Sequence, residues 1–381
     1  MSNLRFFAAK TVLALLLSGS LGNASAQVFE TVTSLPEVVS ESSGIELSGP
    51  DRIWTFNDSS GDPVLYLCDT LGNLIKTLEI LNAWNRDWED ITQDDQGNFY
   101  IGNIGNNSND NTDLTIFKIP NPDTVQGSSV TAEVISFSYE DQWSFPPPQD
   151  SLNFDCEALM WFDGHLYLST KNQTIPFDGK THLYRLPDTP GQYVAEKIGT
   201  FDTGGTVVVS YWITAGDISP DGSKLALLSS DRMWIFSGFS GDDFFGGEVE
   251  MIEFPHLTQK EGICFVSETE LYITDEGWDF GIGRKLYRLD LLTTGAGEPI
   301  FPDNSLAIYP NPCRDLFVLE GDLQGCELEI FDRSGARRSA SRIGSGPLEV
   351  NVKDLPVGVF FIRLTCRERG RVWTKRMIKL D

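Results

Sequence analysis

The stretch Trp88-Glu89-Asp90-Ile91-Thr92-Gln93-Asp94-Asp95-Gln96-Gly97-Asn98-Phe99-Tyr100-Ile101-Gly102-Asn103 contains the pattern that decides the fold. An acid stands close before an aliphatic residue, a polar turn sequence follows at 94–97, and an apolar run resumes at Phe99. Gly and Asp tolerate the backbone angles of a tight hairpin. The stretch therefore predicts two short antiparallel strands, with an acid near the start of the first.

This pattern occurs five times between residues 40 and 275. The acids that precede the aliphatic residue are Glu41, Glu89, Glu157, Asp217 and Glu261. A turn and then a second strand follow each acid: Arg52-Ile53-Trp54-Thr55-Phe56, Asn98-Phe99-Tyr100-Ile101-Gly102, His165-Leu166-Tyr167-Leu168-Ser169, Lys224-Leu225-Ala226-Leu227-Leu228 and Glu270-Leu271-Tyr272-Ile273-Thr274. The body of the chain is therefore a β-repeat.

A third strand follows in every unit, as in Val64-Leu65-Tyr66-Leu67, and a fourth follows in the first four units. The fifth unit has no fourth strand after Leu289, whereas residues 28–39 precede the first unit and can supply it. Four-stranded units with a spare N-terminal strand are typical of a β-propeller. We predict an all-β protein with a five-bladed β-propeller over residues 27–297. Six blades are the alternative, because residues 121–155 and 204–212 have room for further strands.

The last part of the chain, residues 305–381, predicts a separate small immunoglobulin-like β-sandwich after a linker at 298–304. Short strands alternate there with turn residues, and four elements follow in order: Tyr309-Pro310-Asn311-Pro312, Asp332-Arg333-Ser334-Gly335, Leu355-Pro356-Val357-Gly358 and a Lys-rich final strand with Lys375 and Lys379. Their order resembles the type A C-terminal sorting domain of type IX secretion system cargo. The resemblance implies that the domain engages the type IX secretion machinery and sends the protein to the cell surface or the medium. It assigns the sorting signal to Tyr309, Pro310, Asn311, Pro312, Gly335, Gly358, Lys375 and Lys379.

The N-terminus predicts a signal peptide over residues 1–26. Arg5 and Lys10 precede an apolar run at 11–17, and Ala24-Ser25-Ala26 offers a cleavage site. No later segment approaches the roughly 20 apolar residues that a membrane-spanning helix needs. We therefore expect periplasmic transit, and no integral membrane segment after the signal is removed.

Charge is concentrated in the repeat. Residues 27–300 hold 44 acidic and 14 basic side chains, and the whole chain has a net charge of −26. Such a surface repels nucleic acid and anionic membranes and attracts cations. Nucleic acid is therefore excluded as a partner.

If the acids begin the innermost strand of each blade, they gather around one mouth of the central channel. We expect the channel rim to consist of Glu41, Asn57, Asp58, Glu89, Asp90, Asn103, Glu157, Lys171, Asp217, Glu261 and Asp275. Oxygen ligands on a rigid rim suit calcium, so Glu89, Asp90, Glu157, Asp217 and Glu261 are the predicted metal ligands. The alternative is that these acids accept hydrogen bonds from the backbone amides of neighbouring blades.

The sequence has no recognisable catalytic motif. Its histidines, His165, His182 and His256, lack zinc-site spacing, and no G-x-S-x-G or Walker loop occurs. The strings Trp88-Glu89-Asp90-Ile91, Gly216-Asp217-Ile218 and Glu261-Gly262-Ile263 resemble secreted propellers of the phytase-like and SdiA-regulated type. We predict a binding or scaffolding module for a small-molecule, glycan or protein ligand. The alternative is a calcium-dependent hydrolase of a phosphate ester or lactone, with Lys171, Lys260 and Arg284 holding phosphate oxygens.

The cysteines divide evenly, three in the repeat and three in the tail. Cys68, Cys156 and Cys264 stand in apolar strand patterns and predict buried thiols. One bridge is expected among Cys313, Cys326 and Cys366, and the sequence does not choose the pair.

Overall fold

A computed structural model describes residues 28–58, 61–205, 207–277, 283–291, 307–309, 313–320, 325–332, 337–342, 348–366 and 371–380. Within these ranges the regular secondary structure is almost entirely β-strand, with one short helix, α1 (Val208–Tyr211), and 3-10 turns at Gln149–Ser151 and Phe244–Gly246. None of the helices found there is long and apolar enough to cross a bilayer. The predicted signal peptide and linker lie outside the described residues.

The chain divides into two compact units, Met1–Thr294 and Gly295–Asp381. The first unit contains five four-stranded antiparallel groups, here called modules 1 to 5. Module 1 consists of β2 (Ser42–Leu47), β3 (Arg52–Asn57), β4 (Val64–Asp69) and β5 (Leu74–Ile80), and module 2 of β6 (Trp88–Gln93), β7 (Phe99–Asn103), β8 (Leu114–Ile119) and β10 (Glu133–Tyr139). Module 3 consists of β11 (Asp155–Phe162), β12 (His165–Lys171), β13 (Lys180–Pro187) and β14 (Gly191–Asp202), and module 4 of β15 (Ala215–Ile218), β16 (Lys224–Leu228), β17 (Arg232–Ser237) and β18 (Glu248–Glu253).

Module 5 combines both ends of the repeat. It consists of β19 (Lys260–Ser267), β20 (Glu270–Asp275), β21 (Lys285–Asp290) and the N-terminal strand β1 (Val28–Ser34). β1 pairs antiparallel with β21, from Val28 opposite Asp290 to Ser34 opposite Lys285. The prediction that the N-terminal segment supplies the missing fourth strand is therefore confirmed.

The first strands of the modules contact one another in a closed cycle: β2 with β6, β6 with β11, β11 with β15, β15 with β19, and β19 with β2. Because each first strand has a neighbour on both sides, its residues are buried almost continuously, as in β6 and β11. The outer strands β5 and β18 instead expose most of their residues.

Five apolar cores lie between successive modules. Each takes side chains from two modules: Trp54 with Trp88, Tyr139 with Tyr184, Tyr167 with Trp234, Ile235 with Ile273, and Tyr272 with Ile53. The last of these joins module 5 to module 1. The apolar cores therefore join the modules in the same cyclic order as the contacts between first strands.

The structure departs from a simple repeat at residues 121–155 and 204–212, the two regions with room for the further strands of a sixth blade. Residues 121–155 contain β9 (Ser129–Val130), which pairs parallel with β5, and β10, which pairs parallel with β14 and joins modules 2 and 3 into one eight-stranded sheet. Residues 204–212 contain α1.

The second unit contains two sheets. One consists of β22 (Ala307–Tyr309), β23 (Leu316–Glu320) and β26 (Leu348–Asn351), and the other of β25 (Arg337–Arg342), β24 (Glu327–Asp332), β27 (Gly358–Cys366) and β28 (Arg371–Lys379). One core includes residues from both, such as Phe317 and Phe360. Cys326 is disulfide-bonded, whereas Cys313 is a buried free thiol, as are Cys68, Cys156 and Cys264. A two-sheet unit with its own core is thus observed, as the sequence predicts.

Candidate functional site

Three glutamates occupy equivalent positions at the starts of first strands. The pairing register shifts between Trp88 and Asp90, between Cys156 and Ala158, and between Lys260 and Gly262, so that Glu89, Glu157 and Glu261 are the extra residues of β-bulges. All three are buried. A bulge leaves its extra residue outside the regular ladder, and here that residue carries a carboxylate in modules 2, 3 and 5.

Module 1 has Gly44 at the corresponding bulge, between Ser43 and Ile45. Gly44 has φ +60°, and a Cβ on it would lie 2.8 Å from the Cα of Asp90. The first strand of module 2 therefore passes directly over this glycine, and no side chain fits there.

Gly44→Ala is expected to lower the free energy of unfolding by roughly 2–3 kcal/mol. The alanine would be strained in the left-handed backbone conformation, and its Cβ would clash with the backbone of Asp90. Gly238→Ala is the matched control, because Gly238 has φ +68° but no atom within 4 Å of its Cβ position. The free energy of unfolding of the Gly238→Ala control should fall by only about 1 kcal/mol. Urea unfolding of both variants measures the difference, and equal losses would contradict the close approach.

Further acids surround the bulge glutamates. Carboxylate oxygens of Asp58, Asp87 and Glu89 lie within 4.8 Å of one another, and so do those of Asp58, Glu261 and Glu276. Asp58 follows β3, Asp87 precedes β6 and Glu276 follows β20, so the turns at this end of the modules complete the cluster. We call Asp58, Asp87, Glu89, Asp155, Glu157, Glu261 and Glu276 the acidic cluster.

Lys171 is a cation in direct contact with this cluster. Its Nζ lies 2.8 Å from Glu157 Oε1 and 4.8 Å from the centre of the Trp212 ring. Burial opposes the ammonium form, but Glu157, Glu261, Asp155 and Glu89 hold the pKa of Lys171 well above its ordinary value. Lys171 is therefore a permanent positive charge that offsets only part of the surrounding acidity.

Burial holds four members of the cluster, Asp87, Glu89, Glu157 and Glu276, toward their protonated forms. Burial, reinforced by the charge of Glu157, raises the pKa of Glu89 well above its ordinary value. Burial also raises the pKa of Glu157, against the opposing effect of Lys171. The pKa of Asp87 rises to about 6 through burial and Asp155, and that of Glu276 rises to about 10 through burial and Glu261. A bound cation would favour the ionised forms of these groups.

Asp90 and Asp217, although predicted as metal ligands, accept backbone hydrogen bonds instead. Asp90 Oδ2 accepts from Leu159 N at 2.9 Å and Gly216 N at 3.3 Å, which links modules 2, 3 and 4. Asp217 Oδ2 accepts from Phe265 N at 2.7 Å, which links modules 4 and 5. The five predicted ligands therefore do not form one group, because the register turns these two carboxylates toward adjacent strands.

The other predicted rim residues bond locally. The Glu41 backbone N donates to Asn57 Oδ1 at 3.1 Å, and Glu41 stands three positions before the bulge residue Gly44. Asn103 Oδ1 accepts from the backbone N of Arg86 and of Asp87. Asp275 accepts from Lys285 N and from the Tyr287 hydroxyl, both at 2.7 Å.

Sequence reasoning missed Asp87 and Asp155 in this cluster. A detectable signal was present, since Asp87-Trp88-Glu89 and Asp155-Cys156-Glu157 share an acid two positions before the bulge glutamate. An alignment of the repeat on one acid per unit leaves this second acid out.

Two of the three basic residues considered for phosphate binding donate hydrogen bonds to oxygen atoms of the protein itself. The Lys260 ammonium donates to Ser230 O, His256 O and Thr258 Oγ1, and burial lowers the pKa of Lys260 to about 8. Arg284 donates to Leu35 O at 3.3 Å. Lys171 is the member of that trio that faces the acidic cluster.

The predicted sorting residues fall partly within the described strands. Tyr309 pairs with Val318, Gly358 with Lys379, and Lys375 with Ile362. Lys379 is buried, and its Nζ donates to Leu380 O at 2.6 Å. Pro310, Asn311, Pro312 and Gly335 lie outside the described residues.

Solved structures similar to this chain are distant. An aldose sugar dehydrogenase from Streptomyces coelicolor, solved with bound PQQ, has 9% identity over 70% of this chain and 98% of its own, with a TM-score of 0.41. PorZ, a surface component of the type-IX secretion system of Porphyromonas gingivalis, has 12% identity over 89% of this chain and 45% of its own, with a TM-score of 0.31. A putative exported protein from Bacteroides fragilis has 12% identity over 80% and 87%, with a TM-score of 0.36. Likenesses this distant identify no activity.

A search of the curated proteins gives no match. The C-terminal unit does match a family: residues 307–379 correspond to the secretion system C-terminal sorting domain. The chain thus carries the sorting domain of type IX secretion cargo, and the protein is exported to the cell surface or secreted.

Proposed function

We propose that this protein is a secreted or surface-attached binding module: a five-bladed β-propeller whose acidic cluster holds calcium and presents a ligand surface. The sorting domain engages the type IX secretion machinery and delivers the propeller outside the cell. The ligand of the module is a small molecule, glycan or protein.

The closed cycle of first-strand contacts supports the propeller. The first strand of each of the five modules contacts the first strands of both neighbouring modules, and β1 completes the last module, so the strand starts surround one common axis. The acids at those starts then converge from several modules, although they are far apart in sequence.

The calcium proposal rests mainly on two sets of three carboxylates, both of which include Asp58. Asp87 and Glu89 approach Asp58 from module 2, and Glu261 and Glu276 approach it from module 5, each group with its oxygens within 4.8 Å. Calcium takes six to eight oxygen ligands in a flexible arrangement, so a cluster of carboxylates with adjoining water suits it. Lys171 pairs with Glu157 in the same cluster.

Binding is favoured over hydrolysis, because Lys260 and Arg284 already donate to backbone oxygens. A phosphate ester would therefore find few cations at the cluster to hold it.

Calorimetric titration of the purified protein with calcium is expected to show saturable binding. Asp58→Asn should weaken it at least about tenfold, since Asp58 belongs to both groups, and Glu89→Gln should weaken it less. Glu79→Gln, an exposed acid on β5, is the charge-matched control. Absence of calcium binding in the unsubstituted protein would overturn the metal proposal, and calcium-dependent turnover of a generic phosphate ester or lactone that Asp58→Asn abolishes would favour the hydrolase.

A further inference from the structure

A second concave site lies at the opposite end of the first strands. The strands run parallel around the ring, as shown by bonds from Ser43 to Glu89 near the start of β2 and from Gln93 to Glu46 near its end. The starts carry the acidic cluster. The ends of all five first strands instead line a cavity of about 510 Å³.

The cavity has an apolar wall and an acidic floor. Trp161, Phe162 and Phe265 provide aromatic surface, with Ile218 and Pro220 beside them. Glu46 and Asp217 also line it, and no lysine or arginine is among its lining residues in the part of the chain that the structure describes. Apolar walls with a few polar groups are typical of pockets for small organic ligands.

Glu46 lines the cavity from near the end of β2 and is almost fully buried, with 6% of its surface exposed. Its Oε1 accepts from Leu47 N at 2.7 Å and from Gln93 Nε2 at 2.8 Å. Burying a carboxylate is costly, and a positively charged donor supplied by a ligand would offset part of that cost.

Asp217 adds a second carboxylate beside Glu46. Both Asp217 oxygens accept backbone hydrogen bonds, from Ile218 N and Phe265 N. Burial and the charge of Asp217 raise the pKa of Glu46 to about 8, and burial raises the pKa of Asp217 to about 7. Asp94, Asp95, Asp163 and Asp221 stand in the surrounding walls, and the nearby cation Lys118 lies 3.9 Å from Asp94.

We propose that this cavity binds an organic cation, a primary ammonium or guanidinium group carried on an apolar body. The cation donates to the Glu46 carboxylate and lies within the field of Asp217, while the apolar body packs on Trp161, Phe162 and Phe265. A bare metal ion fits less well, because both Asp217 oxygens already accept backbone bonds and the wall is aromatic. This site is separate from the acidic cluster and does not depend on calcium.

Calorimetry with phenethylamine, n-butylamine and agmatine tests this inference on the purified protein at about pH 8.5, where the amines are still protonated. We expect saturable binding of phenethylamine, and none of 2-phenylethanol, which has the same ring without the charge. Binding should weaken toward about pH 6, because Glu46 and Asp217 then take up protons. Failure of all three amines to bind, or equal binding of the alcohol, would overturn the proposal.

Glu46→Gln should weaken phenethylamine binding at least about tenfold, because Gln keeps the shape and removes the charge. Glu79→Gln is again the control, and both variants should bind calcium like the unsubstituted protein. If Glu46→Gln lowers the thermal midpoint, Phe162→Leu provides a second variant, which should weaken phenethylamine more than n-butylamine. Unchanged amine affinity in a folded Glu46→Gln protein contradicts the site and leaves the calcium proposal intact.

Discussion

Removal of residues 303–381 is expected to stop export and leave the protein in the periplasm. The matched sorting domain lies entirely within the removed segment. The remaining body should still fold, because each of its five cores consists only of residues from the first unit, whereas the second unit has a core of its own. In a bacterium with a type IX system, the fraction of truncated protein in the medium and on the surface should fall to background.

Immunoblots of periplasm, surface and medium measure this outcome, with a periplasmic enzyme as the marker of envelope integrity. As the reciprocal control, residues 303–381 fused to an unrelated protein with a signal peptide should carry that protein outside the cell. Truncated protein in the medium at the level of the full chain, with the marker retained, would show that the sorting domain is not required.

The repeat could be predicted from sequence because its signals are local. A turn with Gly or Asp between two apolar runs fixes a hairpin, and the predicted fourth strands of the first two units are observed at Leu74–Ile80 and Glu133–Tyr139. The closing role of β1 followed from counting, because one unit lacked a strand and one strand was left over. Neither inference needed knowledge of distant contacts.

The orientation of the acids could not be predicted, because it depends on bulges. Glu89 and Asp90 are adjacent, yet one joins the acidic cluster and the other bonds to Leu159 and Gly216. A single extra residue in the ladder reverses which face a side chain takes. The repeat pattern does not single out Glu46 for a different reason. Glu46 lies near the far end of β2, beyond the acid that defines the repeat.

Lys171→Met is expected to destabilise the protein by about 3–5 kcal/mol at neutral to alkaline pH without calcium. The substitution keeps an apolar chain of similar length and removes the ammonium that contacts Glu157 Oε1 at 2.8 Å. Glu89, Glu157 and Glu261 then remain buried without that cation. Lys180→Met is the matched control, because the Lys180 pair with Asp178 is 3.4 Å long and largely exposed, and it should cost less than about 1 kcal/mol.

The loss in Lys171→Met should depend on pH in a definite direction. The pKa values of Glu89 and Glu157 are raised in the folded protein from an ordinary value of 4.5, so folding favours their protonated forms. Their contribution to stability is complete below pH 4.5 and is lost as pH rises through the folded pKa values. Removing Lys171 raises those values further. The difference between variant and parent should therefore be small near pH 4.5 and grow toward about pH 8.

One further substitution and one ligand separate the effect of the Lys171 charge from the effect of its packing. Glu157→Gln added to Lys171→Met should restore much of the lost stability, because it removes the carboxylate left without its partner. Saturating calcium should do the same if the acidic cluster binds it, since a ligand that binds only the folded state stabilises that state. Urea unfolding of the single and double variants at about pH 4.5 and pH 8 gives the required comparison. A loss independent of pH and not relieved by Glu157→Gln would mean that Lys171 acts through its packing on Trp212 rather than through its charge.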